Sequence, residues 1–537
     1  MLDIAVIGGG VAGCYCAYRL AECDGRSIGL FEASGRIGGR LWSAPLSGGG
    51  YAEIGGMFFR ENHRSVRGLV EHLALPVEPV EFVRDGQFAR GVFFQDADFS
   101  SDALPFALTD EERKSRPALL LVHALEKIAP GSTDQWPINR SAPRSAQATF
   151  RFLRAVRHNG RPLHEYGLWN VLADVLSSEA YALLAATLGS ISLLRNVNAF
   201  DGVWNFLHEL GDGPASRLVE GYQSLPLALE QRAEVAGAAI HLNHCLNVIA
   251  RTNDGFLLTF VGPDGDQTEV RARQVILALP QRALQLLAFD PTLFDGSAEF
   301  ERIRDRAVRP MRSCKVFFSY DHAWWPGADA KGTHIAARYT DLPMQQCYHF
   351  GRAEADDAAV LMAAYADDAS ATFWSALADG DTRYPSAAQS ADDADILNAP
   401  EALVDALQAQ LRKLHGHEIT HAPSGALYFD WGSDPYGGAW HAWAPHFKSW
   451  DIRPWMRQPN PTLDLFICGE AYSQRNGWVE GAINSAERTL ERLGLSRPGW
   501  ISDPDFQFEV DDKGAVENDD GNDGNVQRPV AGHGAAA

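Results

Sequence analysis

The chain has 537 residues, of which 46% are hydrophobic and 22% charged, with a formal net charge of −22 at pH 7. This length exceeds what one hydrophobic core supports, and at about 150 residues per domain we expect roughly two to four domains. The acidic balance argues against nucleic acid and anionic membranes as partners, because the chain has no basic excess to replace phosphate counterions.

The cysteines have no repeated spacing that would indicate a disulfide framework or a zinc site. They are Cys14, Cys16, Cys23, Cys245, Cys314, Cys347 and Cys468. Free thiols favour a reducing compartment, so we expect a cytoplasmic location and no metal site. We also expect no signal peptide and no membrane-spanning helix, since no uninterrupted apolar run reaches ~18 residues.

The first predicted unit is a strand, a glycine cluster and a helix, in "DIAVIGGGVAGCYCAYRLAE". A second buried strand, "SIGLFEAS", ends at Glu32 and completes a β-α-β unit. Gly8, Gly10 and Gly13 have the G-x-G-x-x-G spacing, which permits a tight turn, close approach of a pyrophosphate and close helix packing. Glu32 is placed to accept hydrogen bonds from ribose hydroxyls, so the unit predicts a dinucleotide site.

The next segment, "GRIGGR", indicates FAD rather than NAD. Its glycines bring the backbone close to the diphosphate, and its arginines add a charge-assisted clamp.

Helical patterns rich in Ala, Leu and Arg follow over residues 105–214, and strand patterns then return, with a hairpin predicted at "GPDGD". Residues 300–455 are β-rich with aromatic loops, and a last strand-turn-helix unit begins at "LDLFICGE". The end of the chain is rich in Asp, Asn and Gly and poor in bulky apolar residues, which predicts disorder.

We therefore predict an α/β fold with a discontinuous Rossmann-like FAD-binding domain, a mixed β-sheet substrate-binding domain and a helical insert. The predicted boundaries are 1–75, 215–300 and 456–500 for the FAD-binding domain, 76–104 and 301–455 for the substrate domain, 105–214 for the insert and 505–537 for the disordered tail.

Eight elements of the sequence occur in the order found in the flavin amine oxidases, the group that contains monoamine oxidase, polyamine oxidase and L-amino acid oxidase. They are "GGGVAG", Glu32, "GRIGGR", "EIGGM", "GYQSLPLAL", "VILALP", "CKVFF" and "CGEAYSQRNGWVEGA". The chain resembles this family over residues 1–500. Its "DPYGGAWHAW" and "CGEAYSQRNGWVEGA" segments are most similar to those of bacterial L-amino acid oxidases.

The resemblance implies which residues contact FAD. They are Glu32 at the adenosine ribose, Arg40 at the diphosphate, Val248 at the adenine, Gly56 and Met57 beside the isoalloxazine, Gly469 and Glu470 at the ribityl or diphosphate part, and Val479 at the flavin. Ala439 occupies the place of the cysteine to which some family members attach the flavin, so we expect FAD to be bound without a covalent link.

The resemblance also implies three catalytic positions. Lys315 matches the lysine that lies under the flavin and holds a water near N5, and a buried amine there would stabilise developing negative charge. Trp478 and Trp440 match the two aromatic residues that face each other in front of the flavin and orient a neutral amine.

The family pattern is incomplete where a substrate carboxylate would bind. Tyr365 matches the tyrosine that contacts this carboxylate, and Gly477 is expected in the same pocket, but Phe58 stands where an arginine is typical. Arg60 lies two residues later, and residues two apart in a strand point to the same face, so we expect Arg60 to reach this pocket.

The predicted reaction is FAD-dependent oxidation of an L-amino acid by hydride transfer from the Cα–H to flavin N5. Hydrolysis of the imine gives the 2-oxo acid and ammonia, and oxygen is reduced to hydrogen peroxide. A flavin amine or polyamine oxidase, an amino acid 2-monooxygenase that forms an amide, and a non-catalytic flavin-binding partner protein are the alternatives. The expected partners are the small-molecule substrate, oxygen and a second copy of the chain in a homodimer.

Overall fold

The computed structural model describes residues 1–510 apart from 24, 47–49, 102–103, 115–116, 133–145, 196, 210–214, 295–297, 326–333, 353–358, 383, 387, 389–392, 394–395, 417–420 and 505. The strands are Leu2–Ile7 (β1), Ile28–Phe31 (β2), Ser43–Pro45 (β3), Tyr51–Glu53 (β4), Phe59–Arg60 (β5), Val77–Ala89 (β6), Val92–Phe94 (β7), Arg157–His158 (β8), Arg161–Pro162 (β9), Ala215–Leu218 (β10), Ala239–His241 (β11), Cys245–Thr252 (β12), Gly255–Val261 (β13), Gln267–Leu277 (β14), Ala288–Phe289 (β15), Val308–Met311 (β16), Ser313–Tyr320 (β17), His334–Thr340 (β18), Gln346–Arg352 (β19), Ala359–Asp367 (β20), Gly425–Asp430 (β21), Trp440–Trp443 (β22) and Leu465–Ile467 (β23). The α-helices are Val11–Ala21 (α1), Arg64–His72 (α2), Pro117–Ile128 (α3), Ala146–Ala155 (α4), Leu168–Val175 (α5), Ser178–Thr187 (α6), Ser192–Arg195 (α7), Ala199–Glu209 (α8), Ser224–Val235 (α9), Gln281–Leu286 (α10), Ala298–Arg306 (α11), Asp368–Ser375 (α12), Glu401–His415 (α13), Ser449–Met456 (α14) and Val479–Arg492 (α15).

The first sheet has the strand order β11-β2-β1-β14-β13-β12-β15, and β23 also pairs with β14. β1 lies between two parallel neighbours, β2 and β14, and its apolar residues from Ile4 to Ile7 are buried, as a strand covered on both faces requires. Helix α1 packs against α9 and α15. The β-α-β unit and the Rossmann-like fold class are therefore confirmed, and the hairpin at "GPDGD" joins β13 to β14.

The second sheet has the order β21-β17-β20-β19-β18-β6-β10-β5, with β7 paired to β6. Its two faces have different chemistry because side chains alternate along each strand. On β17, Cys314, Val316 and Phe318 pack in the core under α13, whereas Phe317 packs in a separate core with aromatic residues of the other face. Lys315 shares that second face with Phe317, where its side chain reaches the carbonyls of Glu53 and Gly55.

Helices α3–α8 form most of a separate apolar core in the region predicted as the helical insert. The domain boundaries stay a prediction, but two strands pair in a different sheet from the one that these boundaries suggest. β5 and β10 fall in segments assigned to the FAD-binding domain, yet both pair in the second sheet, where β10 covers the edge of β6. Such non-local pairing leaves no local pattern in the sequence.

The C-terminal tail begins later than expected. Glu509 and Val510 are buried, with 4% and 2% of their surfaces exposed, and Arg457 donates to the Glu509 carboxylate at 2.6 Å. This ion pair holds a segment whose composition alone predicts disorder. Residues 511–537, the rest of the predicted tail, lie outside the described residues. Among the helices of the described part of the chain, none combines the length and apolar character that a membrane span requires.

Candidate active site

The glycine cluster forms a turn that only glycine fits at two of its positions. Gly8 has a φ of +106°, and a Cβ added there would lie 2.6 Å from the carbonyl oxygen of Ala278. A Cβ on Gly13 would lie 1.8 Å from the carbonyl oxygen of Gly8, so a side chain would push α1 away from β1. The start of α1 is therefore held against the strand ends, where its free N–H groups favour an anion.

Glu32 lies at the end of β2 with its carboxylate fixed by local donors. The backbone N–H of Gly9 donates to one carboxylate oxygen at 2.6 Å, and the N–H and hydroxyl of Ser34 donate to the other at 2.9 and 2.7 Å. The oxygen that accepts only from Gly9 has further acceptor capacity. This placement matches the predicted ribose contact.

The "GRIGGR" turn crosses the first glycine turn directly. The N–H of Gly38 donates to the carbonyl of Gly9 at 2.9 Å. A Cβ on Gly39, whose φ is +57°, would lie 3.0 Å from the Cα of Gly10. Two bare backbone segments thus meet where a diphosphate would lie, which is the fit that a dinucleotide requires.

One cavity extends from this cradle to the Gly477–Trp478 turn, with about 1340 Å³ of empty space, its open mouth included. The predicted cofactor and substrate residues that line it are Gly8, Gly10, Glu32, Arg40, Gly56, Gly469, Glu470, Gly477, Trp478 and Val479. Ala439 also lines it. Its lining includes both Glu32, expected at the adenosine ribose, and Trp478, expected at the flavin.

Val248 is not among the residues that line this cavity, and Cys245 and Leu246 line its Glu32 end instead. The register of β12 explains the difference. Val248 lies between Thr259 of β13 and Ala288 of β15, beyond an irregularity in the strand pairing.

Glu470 organises the middle of the cavity through protein contacts. One carboxylate oxygen accepts from Arg40 and from Nδ1 of His441, both at 2.8 Å. The other accepts the backbone N–H groups of His441 at 2.8 Å and Gly477 at 2.7 Å. Burial alone would raise the pKa of Glu470, but Arg40, His441 and the Gly477 N–H outweigh it and hold the pKa well below its usual range.

Burial lowers the pKa of His441 below its ordinary value, against the opposing effect of Glu470. A buried, hydrogen-bonded and neutral His441 is therefore a structural residue of this network. Arg40 lines the cavity, and one of its nitrogens binds the Glu470 carboxylate. The remaining N–H groups of its guanidinium are the ones available to a diphosphate.

Lys315 is 3% exposed, and its Nζ donates to the carbonyl oxygens of Glu53 at 2.8 Å and Gly55 at 2.5 Å. Gly55 directly precedes Gly56, which lines the cavity. Burial lowers the pKa of Lys315, and burial likewise raises the pKa of Glu53, whose carboxylate binds Ser43 and the N–H of Tyr222. The two groups thus form a buried pair in which the charged form of each is disfavoured.

Tyr365 lies directly opposite Lys315 in the pairing of β17 with β20. The Nζ of Lys315 is 4.9 Å from the centre of the Tyr365 ring, and the ring of Trp440 meets Tyr365 edge-on at 6.4 Å. A Cβ on Gly477 would lie 3.7 Å from Trp440. The structure therefore brings together Lys315, Tyr365, Trp440 and the Gly477–Trp478 turn.

Phe58 and Arg60 both face Trp478. The Phe58 ring centre is 5.7 Å from that of Trp478. The Cζ atom of Arg60 is 5.7 Å from the Phe58 ring centre and 5.8 Å from that of Trp478. His63, which sequence reasoning did not single out, also meets Trp478 edge-on at 4.6 Å. The chain therefore places Arg60 beside Phe58 and Trp478, of which Trp478 lines the cavity, and its contact with a substrate carboxylate stays a prediction.

A second cluster lies on the opposite face of the second sheet. The donor atoms of Cys347, His349 and His415 lie within 4.8 Å of one another. Arg338 lies 2.7 Å from Nδ1 of His415. A guanidinium only donates, so the proton of a neutral His415 lies on Nε2, which is 3.4 Å from Nε2 of His349. Burial, helped by Arg338, lowers the pKa of His349 to about 3, so the imidazole of His349 is neutral. Arg338, His415 and His349 therefore form a row of hydrogen-bonded side chains.

The chain matches the family model described as "Flavin containing amine oxidoreductase" over residues 11–493. It is 28% identical to achacin from Lissachatina fulica, in an alignment that covers 91% of this chain and 93% of achacin. It is 22% identical to an L-amino-acid oxidase from Siganus canaliculatus, with 91% and 85% covered. The solved cyclohexylamine oxidase from Brevibacterium oxydans IH-35A superposes with a TM-score of 0.65 at 20% identity, over 92% of this chain and 100% of that one, which shows the shared fold.

Proposed function

The chain belongs to the flavin-containing amine oxidoreductase family, and on that premise we propose that it is an oxidase of L-amino acids with FAD as its cofactor. When bound, FAD supplies the two-electron acceptor for this oxidation and passes the electrons to molecular oxygen. The products are the imine, which water converts to the 2-oxo acid and ammonia, and hydrogen peroxide. The similarity to an L-amino-acid oxidase over most of both chains supports this choice.

The position of Arg60 is the observation that favours an amino acid over a simple amine. Its guanidinium lies beside Phe58 and Trp478, and Trp478 lines the cavity. A substrate carboxylate placed there gains a charge-assisted hydrogen bond in a water-poor site. A simple amine offers no anion for this arginine, and its positive charge would repel a protonated amine.

The remaining roles follow from the neighbours of each residue. Tyr365 orients the carboxylate, and Trp440 and Trp478 provide aromatic walls that exclude water around a neutral amine. Lys315 holds a water or takes up a proton at its Nζ, because a neutral amine that donates its two N–H groups to carbonyls keeps a free lone pair. The cofactor contacts of Glu32, Arg40, Gly56, Met57 and the 469–479 turn belong to the same proposal.

The test mixes the FAD-loaded protein without oxygen with a panel of L-amino acids and the amines that correspond to their decarboxylation. Bleaching of the flavin absorbance by the amino acids, followed by peroxide, ammonia and 2-oxo acid in air, is the expected result. Bleaching by the amines alone identifies an amine oxidase, and an amide with carbon dioxide identifies a monooxygenase. A protein that no substrate bleaches is a non-catalytic flavin-binding partner.

Two variants test the carboxylate contact. Arg60→Ala should raise the Michaelis constant for amino acids about 10- to 100-fold, the loss of one hydrogen bond between charged groups. The matched control is Arg64→Ala, because the side chain of Arg64 is 58% exposed and pairs with Asp503. Equal Michaelis constants for Arg60→Ala and the wild type would remove Arg60 from the proposal.

A cytoplasmic location and a homodimeric assembly complete the proposal. Sedimentation of the FAD-loaded protein tests the dimer, and fractionation of the producing cells tests the location.

A further inference from the structure

Arg84 lies on the same face of the second sheet as the candidate active site. Along β6, Val80, Phe82 and Arg84 alternate with the exposed residues Glu81 and Val83, so the three side chains share the inward face. Val80 and Phe82 pack in the apolar core that also contains Tyr348 and Tyr365.

The guanidinium of Arg84 is held without an acceptor. Its Cζ atom is 4.8 Å from the centre of the Tyr339 ring, in a cation–π contact. Its Nη1 is buried and has no hydrogen-bond partner among the described residues. Neighbouring arginines differ, since Arg217 pairs with Glu78 and Arg338 with Asp85. A buried donor without an acceptor costs free energy, and a ligand that supplies the acceptor recovers it.

A row of aromatic rings connects Arg84 to Trp478, which lines the cavity. Trp478 contacts Phe58 at 5.7 Å, Phe58 contacts Phe82 at 4.8 Å, and Phe82 contacts Tyr348 at 5.8 Å between ring centres. Tyr348 contacts Tyr339, over which Arg84 lies. Arg60 is at the Trp478 end of this row and Arg84 at the other end, with apolar surface between them.

Resting on the proposed function, we infer that Arg84 binds an anionic side chain of the substrate, so that the preferred substrates are L-amino acids with a side-chain carboxylate. Arg60 binds the α-carboxylate, and the rings of Phe58 and Phe82 contact the methylene groups between the two anions. Guanidinium groups suit this task because their planar N–H donors match carboxylate geometry. The net charge of −22 repels anions at long range, so this preference has to come from local contacts.

The test compares L-glutamate with L-glutamine, and L-aspartate with L-asparagine, which differ in charge but hardly in shape. The wild type should have a kcat/KM about 10- to 100-fold higher for each acid than for its amide. Arg84→Gln should remove this ratio by lowering kcat/KM for the acids only, and Arg84→Lys should restore part of it. Arg217→Gln, which removes a paired arginine on the adjacent strand, is the control and should keep the ratio.

Three results would overturn the inference. One is a wild type that oxidises neutral amino acids but does not prefer the acids. The second is an equal fall for acid and amide in Arg84→Gln, which would make Arg84 the anchor of the α-carboxylate. The third is an unchanged ratio in an Arg84→Gln protein that retains its flavin spectrum and melting temperature. Absence of turnover with every amino acid would instead contradict the proposed function itself.

Discussion

Replacing Glu470 with Gln should strongly destabilise the folded protein around the cavity. The carboxylate is buried, with 7% of the residue exposed, and it accepts four hydrogen bonds from Arg40, His441 and Gly477. A glutamine can still accept the two backbone N–H groups through its amide oxygen. Its NH₂ group would then face the Arg40 donor, and the guanidinium would lose its counter-charge.

Removing one partner of a buried ion pair costs about 3–5 kcal/mol, and the retained backbone contacts place Glu470→Gln near the lower end, at about 3 kcal/mol. The loss should depend on pH. The folded-state pKa of Glu470 is depressed, so its contribution is fully present above the pKa of an unfolded glutamate and declines as the pH falls through the lower folded-state value. The difference between wild type and variant should therefore be largest near neutral pH and shrink in acid.

Urea-induced unfolding of the FAD-loaded proteins, followed by flavin fluorescence at several pH values, measures this difference. Glu234→Gln is the matched control, because Glu234 is exposed on α9, and it should change the free energy of unfolding by less than about 0.5 kcal/mol. Equal stability of Glu470→Gln and the wild type at neutral pH would refute the reasoning. So would a difference that stays constant with pH, because a charge-dependent contribution has to titrate.

Three further predictions concern other parts of the chain. Lys315→Met should slow the reaction of the reduced enzyme with oxygen at least about 10-fold in stopped-flow measurements, because it removes the amine that holds a proton. Bleaching of the flavin by substrate should be retained. An unchanged rate with oxygen would contradict this role of Lys315. Glu509→Gln should lower the melting temperature, because Arg453 and Arg457 lose their buried counter-charge. Deletion of residues 511–537 should leave the melting temperature unchanged. Equal effects of the two changes would contradict Val510 as the end of the packed part of the chain. Acid precipitation should release all of the flavin, because Ala439 has no nucleophile, and flavin retained in the pellet would indicate a covalent link.

The nucleotide half of the site could be predicted from short stretches of sequence for a physical reason. A diphosphate is bound by contiguous backbone, so Gly8 is required by its own φ of +106°, Gly13 by the carbonyl of Gly8 and Gly39 by the backbone of Gly10. Glu32 is fixed by its place at the end of a strand. These constraints act locally and therefore leave a local pattern.

The other half is assembled from strands that are distant in sequence. Lys315 and Tyr365 meet only because β17 pairs with β20 in one register, and a shift by one residue would turn Tyr365 to the opposite face. The Val248 contact stays a prediction, and the strand irregularity that separates Val248 from Leu246 in the cavity lining likewise leaves no pattern in the sequence. The contact between Lys315 and the carbonyl of Gly55 likewise depends on tertiary packing that no periodicity encodes.

This division also explains how an arginine displaced by two residues remains compatible with an amino acid substrate. Phe58 and Arg60 lie in an extended segment, so the step of two residues preserves the face and keeps the guanidinium beside Phe58 and Trp478. The phenyl ring of Phe58 fills the vacated place, against Trp478 and Phe82, and adds apolar surface between Arg60 and Arg84. Arg60 and Arg84 thus lie on opposite sides of Phe58 and Phe82, where they bind the two carboxylates of a dicarboxylic substrate, and the turns that hold FAD are unchanged.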